Sequence, residues 1–179
     1  MVFLFLADGF EVIEALAPVD MLRRAKIDVK TVGVTGSTVT SSCGVTVNAD
    51  ITIDEFVYDH ADAIILPGGM PGTLNLENNQ IVQSAIEKAA GDNVLICAIC
   101  AAPSILGHKG LLKGKNAVAF PGFEKDLEGA VISDNYVVAD GNLITAKGAG
   151  VATEFGLKIV EMLTDKETAV KIKETIQCR

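Results

Sequence analysis

Basic residues are scarce in this sequence: it has 15 lysines and arginines against 23 aspartates and glutamates, for a formal net charge of -8. Nucleic acids and anionic membrane surfaces bind basic patches, so this shortage argues against both as partners. No apolar run approaches the length of a membrane span, and the short apolar segment 2–6 lacks the basic flank of a signal peptide. A small-molecule substrate fits this composition better.

Cysteines are few and irregularly spaced, at Cys43, Cys97, Cys100 and Cys178. Small secreted proteins that depend on disulfides have more regular cysteine patterns, so we expect free thiols and a cytoplasmic location. Repeats, low-complexity tracts and Gly/Ser/Pro-rich linkers are also missing from the sequence. We therefore expect residues 1–179 to form a single domain.

Strand and helix patterns alternate along the chain, which predicts an α/β fold with a parallel sheet covered by helices on both faces. Apolar runs predict strands, helical periodicity predicts helices, and Gly141-Asn142 predicts the tip of a hairpin. Thr164-x-x-Glu167 has the spacing of a capping box that opens the last helix. The predicted strands cover 2–6, 28–34, 61–66, 94–99 and the hairpin 136–145, with short strands within 39–53; the predicted helices cover 11–26, 80–90, 102–108 and 151–163.

Cys100 lies where a predicted strand runs directly into a helix whose first turn contains Pro103. Such strand-to-helix elbows often present nucleophiles. Helix dipoles and free backbone amides favour a thiolate over a thiol, so we expect Cys100 to be ionised at neutral pH. The alternative is a buried structural cysteine, since free cysteine is among the most buried residue types.

Three loops leave the carboxyl ends of predicted strands, where ligands bind in sheets of this kind. They are segment 7–14, which carries Glu11 and Glu14, segment 67–72, which carries Gly68 and Gly69, and the Cys100 elbow. Together they supply a thiol, carboxylates and glycine amides, the parts of a nucleophilic site with an oxyanion pocket. Each loop also has a structural explanation, as a turn or as the start of a helix.

Histidine is nearly absent, and neither His60 nor His108 is placed to act on Cys100. His108 lies about 12 Å along the helix from Cys100, and His60 precedes a strand and so belongs at the opposite sheet edge. The acid–base group is therefore expected to be a carboxylate, with Glu14 better placed than Glu11. Burial beside a thiolate should raise the pKa of Glu14 and make it a hydrogen-bond donor to sulfur.

Cys97 and Cys100 match the C-x-x-C pattern of dithiol redox proteins. Cys97, however, lies inside the predicted strand, where a core position is the simpler interpretation. No cluster of cysteine or histidine completes a zinc site, so no metal is expected.

Five separated segments, in order, resemble the ThiJ/PfpI superfamily, in the branch of the Parkinsonism-associated deglycase and its bacterial relatives. They are Phe5-Leu-Ala-Asp-Gly-Phe-Glu-Val-Ile-Glu14, Pro18-Val-Asp-Met-Leu-Arg-Arg24, Leu66-Pro-Gly-Gly-Met-Pro-Gly72, Ala98-Ile-Cys-Ala-Ala-Pro103 and Lys147-Gly-Ala-Gly150. The resemblance implies a flavodoxin-like fold, usually as a homodimer. It also implies that Cys100 is the reactive, oxidation-prone cysteine, that Glu14 is its protonated partner, and that the amides of Gly69 and Ala101 form the oxyanion-type pocket.

Two positions depart from other members of the superfamily. Ala101 follows the cysteine where peptidase-like members have histidine, and Phe120 precedes Pro121 where the deglycase often has histidine. Both departures weaken a peptidase interpretation. The resemblance implies a cofactor-free glyoxalase, which converts methylglyoxal to lactate, or a deglycase of early glycation adducts. The alternative is an oxidative-stress sensor or redox-regulated chaperone that uses Cys100 oxidation without turnover.

Overall fold

A seven-stranded sheet forms the centre of the computed structural model, which describes residues 1–178. Its strand order is β10-β11-β7-β6-β1-β2-β5, and only the edge strand β10 runs antiparallel to its neighbour. Two small two-stranded sheets, β3 with β4 and β8 with β9, lie outside it. The strands are β1 Val2–Leu6, β2 Val29–Gly33, β3 Thr38–Thr40, β4 Thr46–Asn48, β5 Ile51–Thr52, β6 Ala63–Leu66, β7 Leu95–Ile99, β8 Asn116–Ala117, β9 Val131–Ile132, β10 Val137–Asp140 and β11 Leu143–Ala146.

Helices cover both faces of the large sheet. They are α1 Val12–Arg24, α2 Gly72–Asn78, α3 Gln80–Gly91, α4 Pro103–His108, α5 Ala152–Leu163 and α6 Lys166–Thr175. The buried residues of α1, α5 and α6 pack in one apolar cluster, and those of α2, α3 and α4 pack in another. Within residues 1–178, no helix is long and apolar enough to cross a membrane.

Strand β1 shows why the central strands are apolar throughout. Leu4 and Leu6 belong to the cluster on one face of the sheet, whereas Phe3 and Phe5 belong to the cluster on the other. Side chains alternate between faces along a strand, so a strand covered on both faces has no solvent side. The predicted α/β class, with a mostly parallel sheet between two helical layers, is confirmed.

Two local predictions differ from the structure. Helix α2 was not expected, because its seven residues carry no clear apolar periodicity. The capping box at Thr164 is wrong: Asp165 is the N-cap of α6 and its carboxylate accepts from the Thr168 amide, while the Thr164 hydroxyl donates to the Val160 carbonyl. The carboxylate of Asp165 is a better acceptor than the hydroxyl next to it, so the helix starts one residue later.

The order of the sheet determines where the loops meet. Strands β11, β7, β6 and β1 are consecutive neighbours and mutually parallel. Their carboxyl ends therefore lie at one edge of the sheet. The segments that follow them contain Glu14, Gly68, Cys100 and Ala149.

Candidate functional site

Cys100 forms a sharp elbow between β7 and α4. Its backbone has φ +66°, in the left-handed region that non-glycine residues rarely adopt. Hydrogen bonds hold it there: the Cys100 amide donates to the Ala146 carbonyl at 2.9 Å, and the Phe120 amide donates to the Cys100 carbonyl at 2.8 Å. Backbone strain that is held by its surroundings is a common feature of functional sites.

The Cys100 sulfur is partly buried and surrounded by polar groups from three loops. The backbone amides of Ala101 and Gly69 donate to it, and the thiol is hydrogen-bonded to the carboxyl group of Glu14. Because one amide comes from the elbow and the other from the loop after β6, these two loops must both be in place to form this sulfur environment.

Glu14 lies in the first turn of α1, and only 1% of the residue is exposed. The Gly68 amide donates to its Oε2 atom at 2.9 Å, and the Ala149 amide donates to the same carboxyl group. Burial is the main reason that the pKa of Glu14 rises from 4.5 to about 7, and the nearby charge of Glu11 adds to it. Glu14 can therefore gain or lose a proton near neutral pH.

Gly68 allows Glu14 and Cys100 to approach each other. A Cβ atom at residue 68 would lie 2.6 Å from the Cys100 Cβ and 2.6 Å from Glu14 Oε2. Both distances are well below van der Waals contact. Any side chain here would force the two reactive groups apart, so the contact between them requires glycine.

The sequence predicts a thiolate at Cys100, but the site favours the protonated thiol. Burial, followed by the charge and hydrogen bond of Glu14, raises the pKa of the Cys100 thiol to about 12, although the amides of Ala101 and Gly69 act in the opposite direction. The predicted neutral-pH thiolate is therefore wrong. The protonated thiol can donate a hydrogen bond to the Glu14 carboxyl group.

The other residues singled out by the sequence have distinct places. The Gly69 and Ala101 amides point at the sulfur, whereas the Gly68 amide is already bonded to Glu14. Glu11 is the N-cap of α1, and its carboxylate accepts from the amides of Ile13 and Glu14.

Cys97 and the two histidines have other surroundings than the Cys100 sulfur. Cys97 is fully buried in β7, and burial raises the pKa of its thiol well above the ordinary value. His108 contacts Glu77 at 2.5 Å, and the exposed His60 pairs with Asp59. Among residues 1–178, no group of three or more acidic, histidine or cysteine side chains could hold a metal ion.

Sequence reasoning missed the contribution of the loop after β11. Ala149 donates its amide to Glu14, and a Cβ atom on Gly148 would lie 3.7 Å from Glu14 Oε1. The hairpin prediction already placed this loop at the end of a strand. The motif Lys147-Gly-Ala-Gly150 could therefore have been assigned to the same sheet edge, had the order of the strands been known.

The sequence profile of the DJ-1/PfpI family matches residues 1–162. Among curated proteins, the chain is 36% identical over 170 residues to protein dj-1beta of Drosophila melanogaster, covering 93% of this chain and 91% of that protein. It is 35% identical over 176 residues to the Parkinson disease protein 7 homolog of Danio rerio, covering 94% and 92%.

Solved structures agree closely with this fold. Oxidized DJ-1 of Toxoplasma gondii superposes with a TM-score of 0.95 at 34% identity, covering 99% of this chain and 97% of that one. The crystal structure of Drosophila melanogaster DJ-1beta superposes with a TM-score of 0.93 at 34% identity, covering 99% and 97%. The likeness therefore extends over nearly the whole chain in both sequence and structure.

Proposed function

The chain belongs to the DJ-1/PfpI family, and from this premise we propose that it is a cofactor-independent cysteine enzyme acting on reactive dicarbonyl compounds or their early glycation adducts. The observation that carries the proposal is the hydrogen-bonded pair of Cys100 and Glu14, held among backbone amides. Such a pair combines a nucleophile with a group that can move a proton near neutral pH.

The first step is addition of the thiol to the aldehyde of a 2-oxoaldehyde. The Cys100 sulfur forms a bond to the aldehyde carbon while the Glu14 carboxylate takes the thiol proton. Glu14 then returns this proton to the new alkoxide, which gives a hemithioacetal. The amides of Gly69 and Ala101 donate hydrogen bonds to the sulfur, so they can stabilise negative charge that develops on the sulfur as its proton leaves.

The second step is an internal redox transfer between neighbouring carbons. Glu14 removes the proton from the former aldehyde carbon and delivers it to the adjacent carbonyl carbon. The hydroxyl proton of the former aldehyde carbon moves to the oxygen of that adjacent carbon, which leaves a thioester of a 2-hydroxy acid. Water then cleaves the thioester and restores the thiol. One carbon is oxidised and its neighbour is reduced, so the balance requires only water.

Amide hydrolysis fits the site less well. An amine leaving group needs a proton from a well-placed acid, usually histidine. His108 and His60 are engaged with carboxylates elsewhere. Addition to an aldehyde expels no leaving group, so Cys100 and Glu14 suffice.

The decisive experiment measures the loss of methylglyoxal and the formation of lactate without glutathione. Cys100→Ala and Glu14→Gln should each abolish turnover. Cys43→Ala removes an exposed thiol instead and should retain activity. The rate should rise through about pH 7 and then level off, since Glu14 must be ionised to accept the thiol proton. A parent protein that does not outpace buffer, or equal turnover by Cys100→Ala, would refute the proposal.

A redox sensor or redox-regulated chaperone is the second candidate, favoured by the partly exposed Cys100 sulfur and by the oxidized state of the similar Toxoplasma gondii structure. Oxidation to a sulfinic acid adds two oxygens, and nearby amides can bind the resulting charge. Peroxide that adds two oxygens to Cys100, in a protein without dicarbonyl turnover, would favour this candidate over the enzyme.

A further inference from the structure

An apolar cleft beside Cys100 and Glu14 has no part in the steps above. Its volume is about 380 Å³, and it is lined by Phe120, Pro121, Tyr136 and residues 147–151. Phe120 is 47% exposed and Tyr136 is 62% exposed. Two aromatic rings this open to solvent contribute little to the core, so their presence beside the reactive pair calls for another explanation.

The cleft lies next to the reactive pair, since Gly148 and Ala149 line the cleft and the Ala149 amide donates to Glu14. The Phe120 amide donates to the Cys100 carbonyl, which fixes the Phe120 backbone to the elbow. A Cβ atom on Gly148 would lie 3.2 Å from the Phe120 ring and 3.7 Å from Glu14 Oε1. Gly148 therefore lies close to both the Phe120 ring and the Glu14 carboxyl group, and its lack of a side chain leaves the space between them open.

Among the described residues that line the cleft, Lys147 is the one cation, and it supports the Tyr136 ring instead of remaining free for an anion. The Lys147 ammonium lies 4.7 Å from the centre of the Tyr136 ring and donates a hydrogen bond to the Asp134 carbonyl at 3.1 Å. A cation over an aromatic face stabilises the ring's position. The surface that remains for a ligand is aromatic and aliphatic, which favours an uncharged apolar group.

We propose that this cleft binds the apolar, preferably aromatic, substituent of a carbonyl compound whose reacting carbon lies at the Cys100 sulfur. A cavity of roughly 150 Å³ holds benzene, so a phenyl group fits this cleft, whereas the methyl group of methylglyoxal would leave most of it filled with water. If the chain is the dicarbonyl enzyme proposed above, its preferred substrates are aryl or bulky alkyl 2-oxoaldehydes. This statement about turnover rests on the proposed function.

Binding can be tested apart from turnover with two alkylating ketones, phenacyl bromide and bromoacetone. In both, the Cys100 sulfur displaces bromide, the sulfur–carbon bond forms as the carbon–bromine bond breaks, and the thiol proton leaves to Glu14 or water. Mass spectrometry gives the rate at Cys100, and the rate with glutathione corrects for intrinsic reactivity. After this correction we expect phenacyl bromide to react about tenfold faster than bromoacetone, since the ring loses apolar surface to the cleft.

Phe120→Ala and Tyr136→Ala should each reduce this preference to about twofold or less by removing that apolar contact. Val57→Ala also truncates an exposed apolar side chain, but it precedes β6 and lies outside the cleft, so it should keep the parent preference. Equal corrected rates in the parent, or a preference that survives both cleft variants, would overturn the inference. The inference would also be overturned if sedimentation showed that Phe120→Ala dissociates a dimer while the preference stays the same. In that case a second copy of the chain, and not a substrate, would cover the cleft.

The same proteins are then assayed with phenylglyoxal and methylglyoxal. Faster turnover of phenylglyoxal, lost in Phe120→Ala, supports both proposals. Selective labelling by phenacyl bromide without turnover of either aldehyde would refute the enzyme and leave the cleft assignment standing. If the protein turns over both aldehydes and Phe120→Ala does not change the rates, the enzyme proposal stands and the cleft assignment is refuted.

Discussion

Glu14 makes the folded protein less stable as the pH rises. Its pKa is near 4.5 when the chain is unfolded and about 7 when folded. The folded state therefore holds this proton more tightly, and the stabilisation is complete below about pH 4.5 and lost as the pH rises through about 7. The shift corresponds to about 3 kcal/mol in the free energy of unfolding.

We expect urea unfolding of the parent to show a clear loss of stability between about pH 5 and pH 8. Glu14→Gln cannot ionise and should show a smaller loss. Glu154→Gln removes an exposed carboxylate in α5 and should behave like the parent. An equal pH dependence in the parent and Glu14→Gln would contradict the assignment of this proton to Glu14.

Residue 68 offers a second test at the scale of single residues. Gly68→Ala should lower the turnover of methylglyoxal by about tenfold or more, because the added methyl group occupies the contact between Cys100 and Glu14 through which the proton must move. Gly91→Ala, where a Cβ atom meets nothing within 4 Å, should leave the rate unchanged. Parent-like turnover by Gly68→Ala would show that this contact is not needed.

Cys100 and Glu14 could be found from the sequence because each follows an apolar strand, and strand ends are visible in the pattern of residues. Which of the two groups carries the proton could not be predicted from the sequence. It depends on how deeply both groups are buried and how close they lie, and these follow from the packing of β6, β7 and α1. The amide of Ala149 was missed because its loop meets Glu14 only through the order of the strands in the sheet.

At the scale of elements, the packing of α1 against α5 determines where Glu14 lies. Gly156 of α5 allows close approach: a Cβ atom there would be 2.9 Å from the Pro18 Cα and 3.0 Å from the Met21 Cγ. Alanine favours a helix over glycine by about 1 kcal/mol. The clash with the backbone of α1 should outweigh that gain.

Gly156→Ala should therefore lower the free energy of unfolding by about 1–3 kcal/mol, as overpacked cores do. It should also slow the turnover of methylglyoxal, because α1 carries Glu14. Gly91→Ala, at the end of α3, is the matched helical control and should be neutral or stabilising. A Gly156→Ala protein as stable as the parent would mean that α1 and α5 can separate at little cost.

The elements themselves were predictable to different degrees. Apolar runs such as 2–6 and 94–99 were sufficient for the central strands, and turn residues were sufficient for the hairpin of β10 and β11. The start of α6 was misplaced by one residue because Thr164 and Asp165 are both good N-caps. Their competition is settled by the end of α5, where the Thr164 hydroxyl is already used.

At the scale of the whole molecule, we expect a homodimer. Among the apolar residues of α1, Met21 is buried in the core, whereas Ile13 is 51% exposed and Leu16 is 36% exposed and both are available for a partner. Sedimentation at micromolar concentration should show a dimer, and Ile13→Asp should dissociate it. Aspartate suits the first turn of a helix, so this variant should still fold. A parent protein that sediments only as a monomer would contradict the expectation.

The arrangement of the site has a consequence for protein synthesis. Glu14 and Gly68 are 54 positions apart in the chain, Cys100 follows later, and Ala149 comes after the last strand of the sheet. A ribosome therefore releases the carboxylate first, the thiol much later, and the final amide only when β11 has emerged. Until then the growing chain carries Cys100 and Glu14 without the Ala149 amide, so the complete site forms only when the sheet is finished.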